Sequence, residues 1–118
     1  SPYKCTHLIK IDNKGYITYQ VGLEESNKGE QIIFEEVFET KKQIKIDDKY
    51  LLELQSIGKK ASKFKGNFVK DAFHYQFYVN KVLLIDSYEG QSEEARKIRE
   101  IISKIYQDKI DYFCDSYY

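Results

Sequence analysis

Apolar and polar side chains alternate most strictly between Ala72 and Val79. Phe73, Tyr75, Phe77 and Val79 share one parity, and His74, Gln76 and Tyr78 share the other. A period of two belongs to a strand whose faces meet different surroundings. Asn80-Lys81 suits a tight turn, so the run is expected to continue as a hairpin into Val82–Ser87. Residues 6–11 and 16–22 read as two further strands around the turn Asp12-Asn13-Lys14-Gly15, with Ile17, Tyr19 and Val21 on one face of the second. Residues 30–39 mix Glu with strand formers, and the shared parity of Ile32, Phe34 and Phe38 predicts a third strand.

Two stretches change period. Leu51, Leu54 and Ile57 recur at three-residue steps behind the capping pair Asp47-Asp48, which predicts a short helix over 49–57 closed by Gly58. Ala95, Ile98, Ile101, Ile102 and Ile105 form a helical stripe behind Ser92, Glu93 and Glu94, a cap and an acidic first turn. Glu93–Lys97, Arg96–Glu100 and Glu100–Lys104 are spaced to pair on its outer face. The lysine-rich run 59–70 reads as a surface loop. The expected fold is α+β, with a β-β-β-α-β-β-α order, an antiparallel sheet and the helices packed on one face. One domain is expected over residues 1–118, with a core at about 6–107 and an aromatic C-terminal tail at 108–118.

Composition narrows the class without naming an activity. Apolar residues at 42% and charged residues at 32% argue against a disordered chain. No apolar run approaches the ~20 residues of a spanning helix, and nothing near the N-terminus reads as a signal peptide. Tyr 11 and Phe 7 in so short a chain supply large contact areas, for a core and for a protein-binding surface. Cys5 and Cys114 stand near opposite ends, in no CxxC motif and with no His at ligand spacing. Two free thiols in a reducing cytosol are the simpler expectation, and a bridge between the ends is the alternative.

Catalytic chemistry finds little to use. His7 and His74 alone titrate near neutrality, each inside an expected strand, and no HExxH, GxSxG, P-loop or GxGxxG is present. Asp71 and Tyr75 flank His74, and Asp86 with Glu89 offers a carboxylate pair, yet ordinary sheet and turn roles account for all of them. No enzyme activity, cofactor or metal is therefore expected.

Charge is balanced in sum, with Lys+Arg and Asp+Glu at 19 each, but polarised along the chain. Nine lysines fall between Lys41 and Lys70, and Lys59, Lys60, Lys63, Lys65 and Lys70 interleave with Phe64 and Phe68. Such interleaving suits a single-stranded nucleic acid, although the scarcity of Arg and the lack of an aromatic sheet motif argue against it. Glu24, Glu25, Glu30, Glu35, Glu36 and Glu39 face only Lys28 in their own stretch, and Asp111 and Asp115 extend the acidic set from the tail. Clustered carboxylates suit a basic protein partner, whose approach an opposing field would steer.

The succession Ile9-Lys10-Ile11-Asp12-Asn13-Lys14-Gly15-Tyr16-Ile17-Thr18-Tyr19, then Ile46-Asp47-Asp48-Lys49-Tyr50-Leu51-Leu52-Glu53-Leu54, then the hairpin Phe73–Asp86 and a closing amphipathic helix, resembles small bacterial immunity proteins. These belong to toxin–immunity systems of the contact-dependent growth inhibition type. The likeness is one of layout over most of residues 8–106 and transfers no functional residue. It implies a cytoplasmic, non-enzymatic partner of a cognate toxin, such as a nuclease, whose active site it would occlude. Two other readings stand beside it: a secreted or periplasmic domain, and a small single-stranded nucleic-acid binder. No membrane partner is expected.

Overall fold

The computed structural model describes residues 3–25, 32–61, 63–70, 72–107 and 113–114. In chain order its elements are β1 (Tyr3–Lys4), β2 (Thr6–Ile11), β3 (Tyr16–Glu24), β4 (Phe34–Thr40), β5 (Ile44–Lys45), α1 (Asp48–Ala61), β6 (Phe64–Lys65), β7 (His74–Val79), β8 (Val82–Tyr88), α2 (Glu93–Tyr106) and β9 (Phe113–Cys114).

The main sheet runs β4-β3-β2-β7-β8-β6, with β5 also beside β3. It is a mixed sheet, not the antiparallel one expected. β2 pairs parallel with β7, placing Ile9 beside Phe77, and β6 pairs parallel with β8. Each hairpin is antiparallel within itself, as its short turn requires. The parallel seam arises where the two hairpins meet, joined through the long connection that contains α1. The observed order also exceeds the expected β-β-β-α-β-β-α by the short strands β1, β5, β6 and β9.

Turn chemistry explains both hairpins. Asp12 Oδ1 accepts the amides of Lys14 at 2.8 Å and Tyr16 at 3.0 Å, and Gly15 takes φ +86, which a side chain would resist. Asn80 and Lys81 both adopt positive φ (49 and 68), the backbone that a two-residue loop needs to follow the twist of its strands. Two register shifts interrupt the pairing of β4 with β3, yet the expected parity holds: Ile32, just before the strand, is buried and Phe38 packs on the core, while Ile33 and Val37 are exposed.

One apolar cluster unites the helices with a single face of the sheet. Ile98, Ile101 and Ile102 of α2 and Leu54 of α1 join Ile9, Ile11, Ile17, Tyr19, Val21, Phe77 and Ile85. The sheet residues in that set all share the parity that faces the helices. Ser92 caps α2 by accepting the Ala95 amide at 3.1 Å, and Arg96 pairs with Glu93 and Glu100 on the outer side. Helix α1 does not stop at Gly58; it continues to Ala61, with Gly58 buried inside it. A Cβ there would stand 2.6 Å from Leu84 Cδ1, so glycine serves close packing against β8 and not termination. The expected surface loop over 59–70 is likewise corrected. Its first residues complete α1, and Phe64 packs on the core and draws β6 onto the sheet.

The expected free thiols are overturned. Cys5 is buried and disulfide-bonded, and among the described residues no cysteine is free. The chain's other cysteine is Cys114. The backbone of β9, which carries it, pairs with β1, where Tyr3 stands opposite Cys114. Sequence spacing cannot show that pairing of the ends. The remainder of the tail, including Tyr112, Tyr117 and Tyr118, lies outside the described residues.

Candidate functional site

On the sheet face turned away from the helices, β2 contributes Thr6, Leu8 and Lys10, and β7 contributes His74, Gln76 and Tyr78. Alternation alone places a histidine and a glutamine there, and the register then supplies their partners. Gln76 stands opposite Asp86, and His74 opposite both Thr6 and Tyr88. Glu24 reaches the same spot from the end of β3.

The result is a histidine held between two carboxylates. His74 Nδ1 lies 2.8 Å from Glu24 Oε1, and Nε2 lies 2.5 Å from Asp86 Oδ1. The Tyr88 ring stacks parallel on the imidazole with centroids 4.3 Å apart, and Phe68 meets Tyr88 edge-on. Thr6 Oγ1 donates to Glu24 Oε1 at 3.1 Å, Gln76 Nε2 donates to Asp86 Oδ2 at 3.1 Å, and the Tyr78 hydroxyl donates to Gln76 Oε1 at 3.0 Å. One continuous polar chain thus links four strands, β2, β3, β7 and β8.

Electrostatics fix the protonation states. Burial alone would lower the pKa of His74, but the hydrogen bonds and charges of Asp86 and Glu24 outweigh it and raise it to about 9. The group is therefore an imidazolium at neutral pH, donating from both nitrogens. For Asp86 burial acts upward, yet the bond to His74 dominates with its neighbours and holds the carboxyl below its ordinary value. Burial, then the charges of Glu24 and Asp86, push the Tyr88 phenol up to about 12. A doubly bonded imidazolium has no lone pair to offer a substrate, and its upper face is covered by a ring. What the cluster does is lock the end of β3 onto the β7–β8 hairpin.

His7 lies on the opposite face, among the helices. Its Nδ1 is 2.6 Å from the Tyr19 hydroxyl, and its ring stacks on Tyr75 at 4.8 Å between centroids. The Arg99 guanidinium lies over the other ring of that stack, 4.5 Å from the Tyr75 centroid, and donates to the Tyr75 hydroxyl at 2.9 Å. Burial first, then the charge of Arg99, lowers the His7 pKa to about 3, so it is a neutral core histidine. Among the described residues, no group of three or more His, Cys, Asp or Glu is arranged to hold a metal ion.

The acidic residues singled out from the sequence are divided by the fold. Glu24 is withdrawn into the His74 cluster. Glu25, Glu35 and Glu36 are exposed, and half-buried Glu39 pairs with Lys41 at 2.9 Å. Glu30, Asp111 and Asp115 lie outside the described residues. In the lysine run, Phe68 is 75% exposed but Phe64 packs on the core, so the two phenylalanines do not form one platform. Sequence reasoning considered His74, Asp86 and Glu24 separately and did not join them. The parity of His74 with Gln76 was the one available signal.

The fold and site together define an α+β domain with a mixed sheet and a buried histidine–carboxylate clamp. No family model, curated protein or solved structure matches the chain. No helix among the described residues is long and apolar enough to cross a membrane.

Proposed function

We propose that this chain is a non-enzymatic protein-binding domain that works in an oxidising compartment, secreted or periplasmic. Its specific form, following the likeness of layout noted above, is an immunity protein that occludes the active site of a cognate bacterial toxin. The observation that carries the binding reading is β4, the strand at one end of the main sheet. There Val37, 42% exposed, and just before the strand Ile33, 55% exposed, stand among the exposed carboxylates of Glu35 and Glu36. An apolar centre with an acidic rim suits a basic partner surface. The bonded state of Cys5 supports the compartment, because such bridges persist where thiols are not kept reduced. The engagement of both imidazoles supports a role without turnover.

A toxin whose active site carries positive charge would be met there by an acidic edge. The test uses the product of the neighbouring reading frame. Reversing Glu35 and Glu36 to Lys should slow association and flatten its salt dependence while leaving the melting temperature unchanged. Unchanged kinetics at low salt would mean that these glutamates only solvate the strand. His74→Ala and His7→Ala should abolish no catalytic turnover in any folded form, and loss of turnover on any substrate would overturn the non-enzymatic reading.

A further inference from the structure

The tips of the β2–β3 and β7–β8 hairpins lie side by side, because β2 and β7 run parallel and the Asn80 amide bonds the Ile11 carbonyl at 2.9 Å. At this end the helix-free face of the sheet hollows into an open groove of about 1150 Å³. It lies along the sheet from the His74 cluster and is distinct from the β4 edge.

We propose that this groove binds an acidic oligosaccharide. Tyr16 and Tyr78 both line it, and Tyr16 is 37% exposed. A pyranose presents a face of polarised C–H bonds that packs on the electron-rich face of an aromatic ring. The Tyr78 hydroxyl is already tied to Gln76, so its ring is held in one orientation before any ligand arrives. The Lys10 ammonium sits over that ring, 5.5 Å from its centre, so a sugar that stacks there meets the cation on the same face.

Charge selects an anion. Lys10 and Lys81 line the groove, Lys81 from the turn at positive φ. Asp12 also lines the groove as an ionised carboxylate, bonded by the amides of Lys14 and Tyr16, and the two lysines outnumber it. Thr18 and Asn80 add a hydroxyl and an amide suited to sugar hydroxyls. A single-stranded nucleic acid could also use rings and lysines. The bonded state of Cys5 favours the saccharide, because it points away from the reducing cytosol in which cellular RNA is held.

The experiment titrates the oxidised protein with trigalacturonate, with maltotriose as the neutral match and with oligothymidylate, followed by calorimetry. Saturable trigalacturonate binding is expected, about tenfold or more tighter than maltotriose. Tyr16→Ala should weaken it about tenfold. Lys10→Gln with Lys81→Gln should weaken it and flatten its salt dependence, with melting temperatures confirming that both variants fold. Absence of saturable binding, equal binding of maltotriose, or tighter binding of oligothymidylate would each overturn the proposal. So would unchanged affinity in both folded variants. None of these residues lies on β4, so the toxin-binding reading stands or falls separately.

Discussion

His74 and Asp86 meet at 2.5 Å on a diagonal of the β7–β8 hairpin, two register positions out of direct opposition. Diagonal neighbours touch only through long or well-aimed side chains. Here Tyr88 stacks behind the imidazole and Gln76 steadies the carboxylate, so the contact is held from both sides.

That pairing makes stability depend on pH from the alkaline side, and His7 makes it depend on pH from the acid side. The folded pKa of His74, about 9, exceeds the ordinary 6.5. Its contribution is complete below 6.5 and is lost as pH rises through about 9. The folded pKa of His7, about 3, lies below 6.5, so stability falls as pH drops from 6.5 towards 3. Asp86, held below its ordinary value, adds to the acid loss at the lower end of that range. Urea midpoints should therefore peak near neutrality, with limbs of up to ~1.4 kcal/mol per pH unit. His74→Gln should flatten the alkaline limb and cost ~2–4 kcal/mol at neutral pH, because buried Asp86 and half-buried Glu24 lose their cation.

Reduction should weaken the fold. A disulfide such as the one at Cys5 typically contributes ~2–4 kcal/mol. Thermal melts with dithiothreitol, and melts of Cys5→Ser, should fall well below those of the oxidised protein. Coincident melts would show that the bond adds nothing to stability.

The α2 stripe should be costly to truncate. Ile98 and Ile101 are 2% and 4% exposed in the central cluster. Changing either to Ala should cost ~2–5 kcal/mol by urea denaturation, since the removed methyls leave a cavity that the sheet cannot close.

Gly22 should tolerate no side chain. A Cβ there would stand 2.3 Å from the Glu36 carbonyl oxygen and 3.0 Å from Val37 Cα, both backbone atoms of β4. Gly22→Ala should cost ~1–3 kcal/mol and raise amide exchange along β4 more than along β7.

Local pattern carried much of this fold, and partner choice carried the rest. The two faces of β7, the Asn80-Lys81 turn and the Ser92 cap are all written in neighbouring residues. The parallel register of β2 with β7 is not, because it depends on how two separate hairpins meet. Gly58 shows a different limit: a glycine that ends a helix and one that lets a helix approach a strand look alike until Leu84 is in place. Glu24 sits in an acidic run and reads as surface charge, yet its partner His74 is 50 positions away. Nearest-neighbour charge counting cannot find such a pair.

The parallel seam between β2 and β7 also sets how the chain must reach this state. Each hairpin closes through a short turn, so both can form quickly and independently. Docking Ile9 beside Phe77 requires a much longer loop to close first, at an entropic cost that no local contact returns in advance. Docking of the seam is then the step expected to limit the folding rate. Substitutions along it should slow refolding, whereas those in the Asp12–Gly15 turn should act on a step already completed.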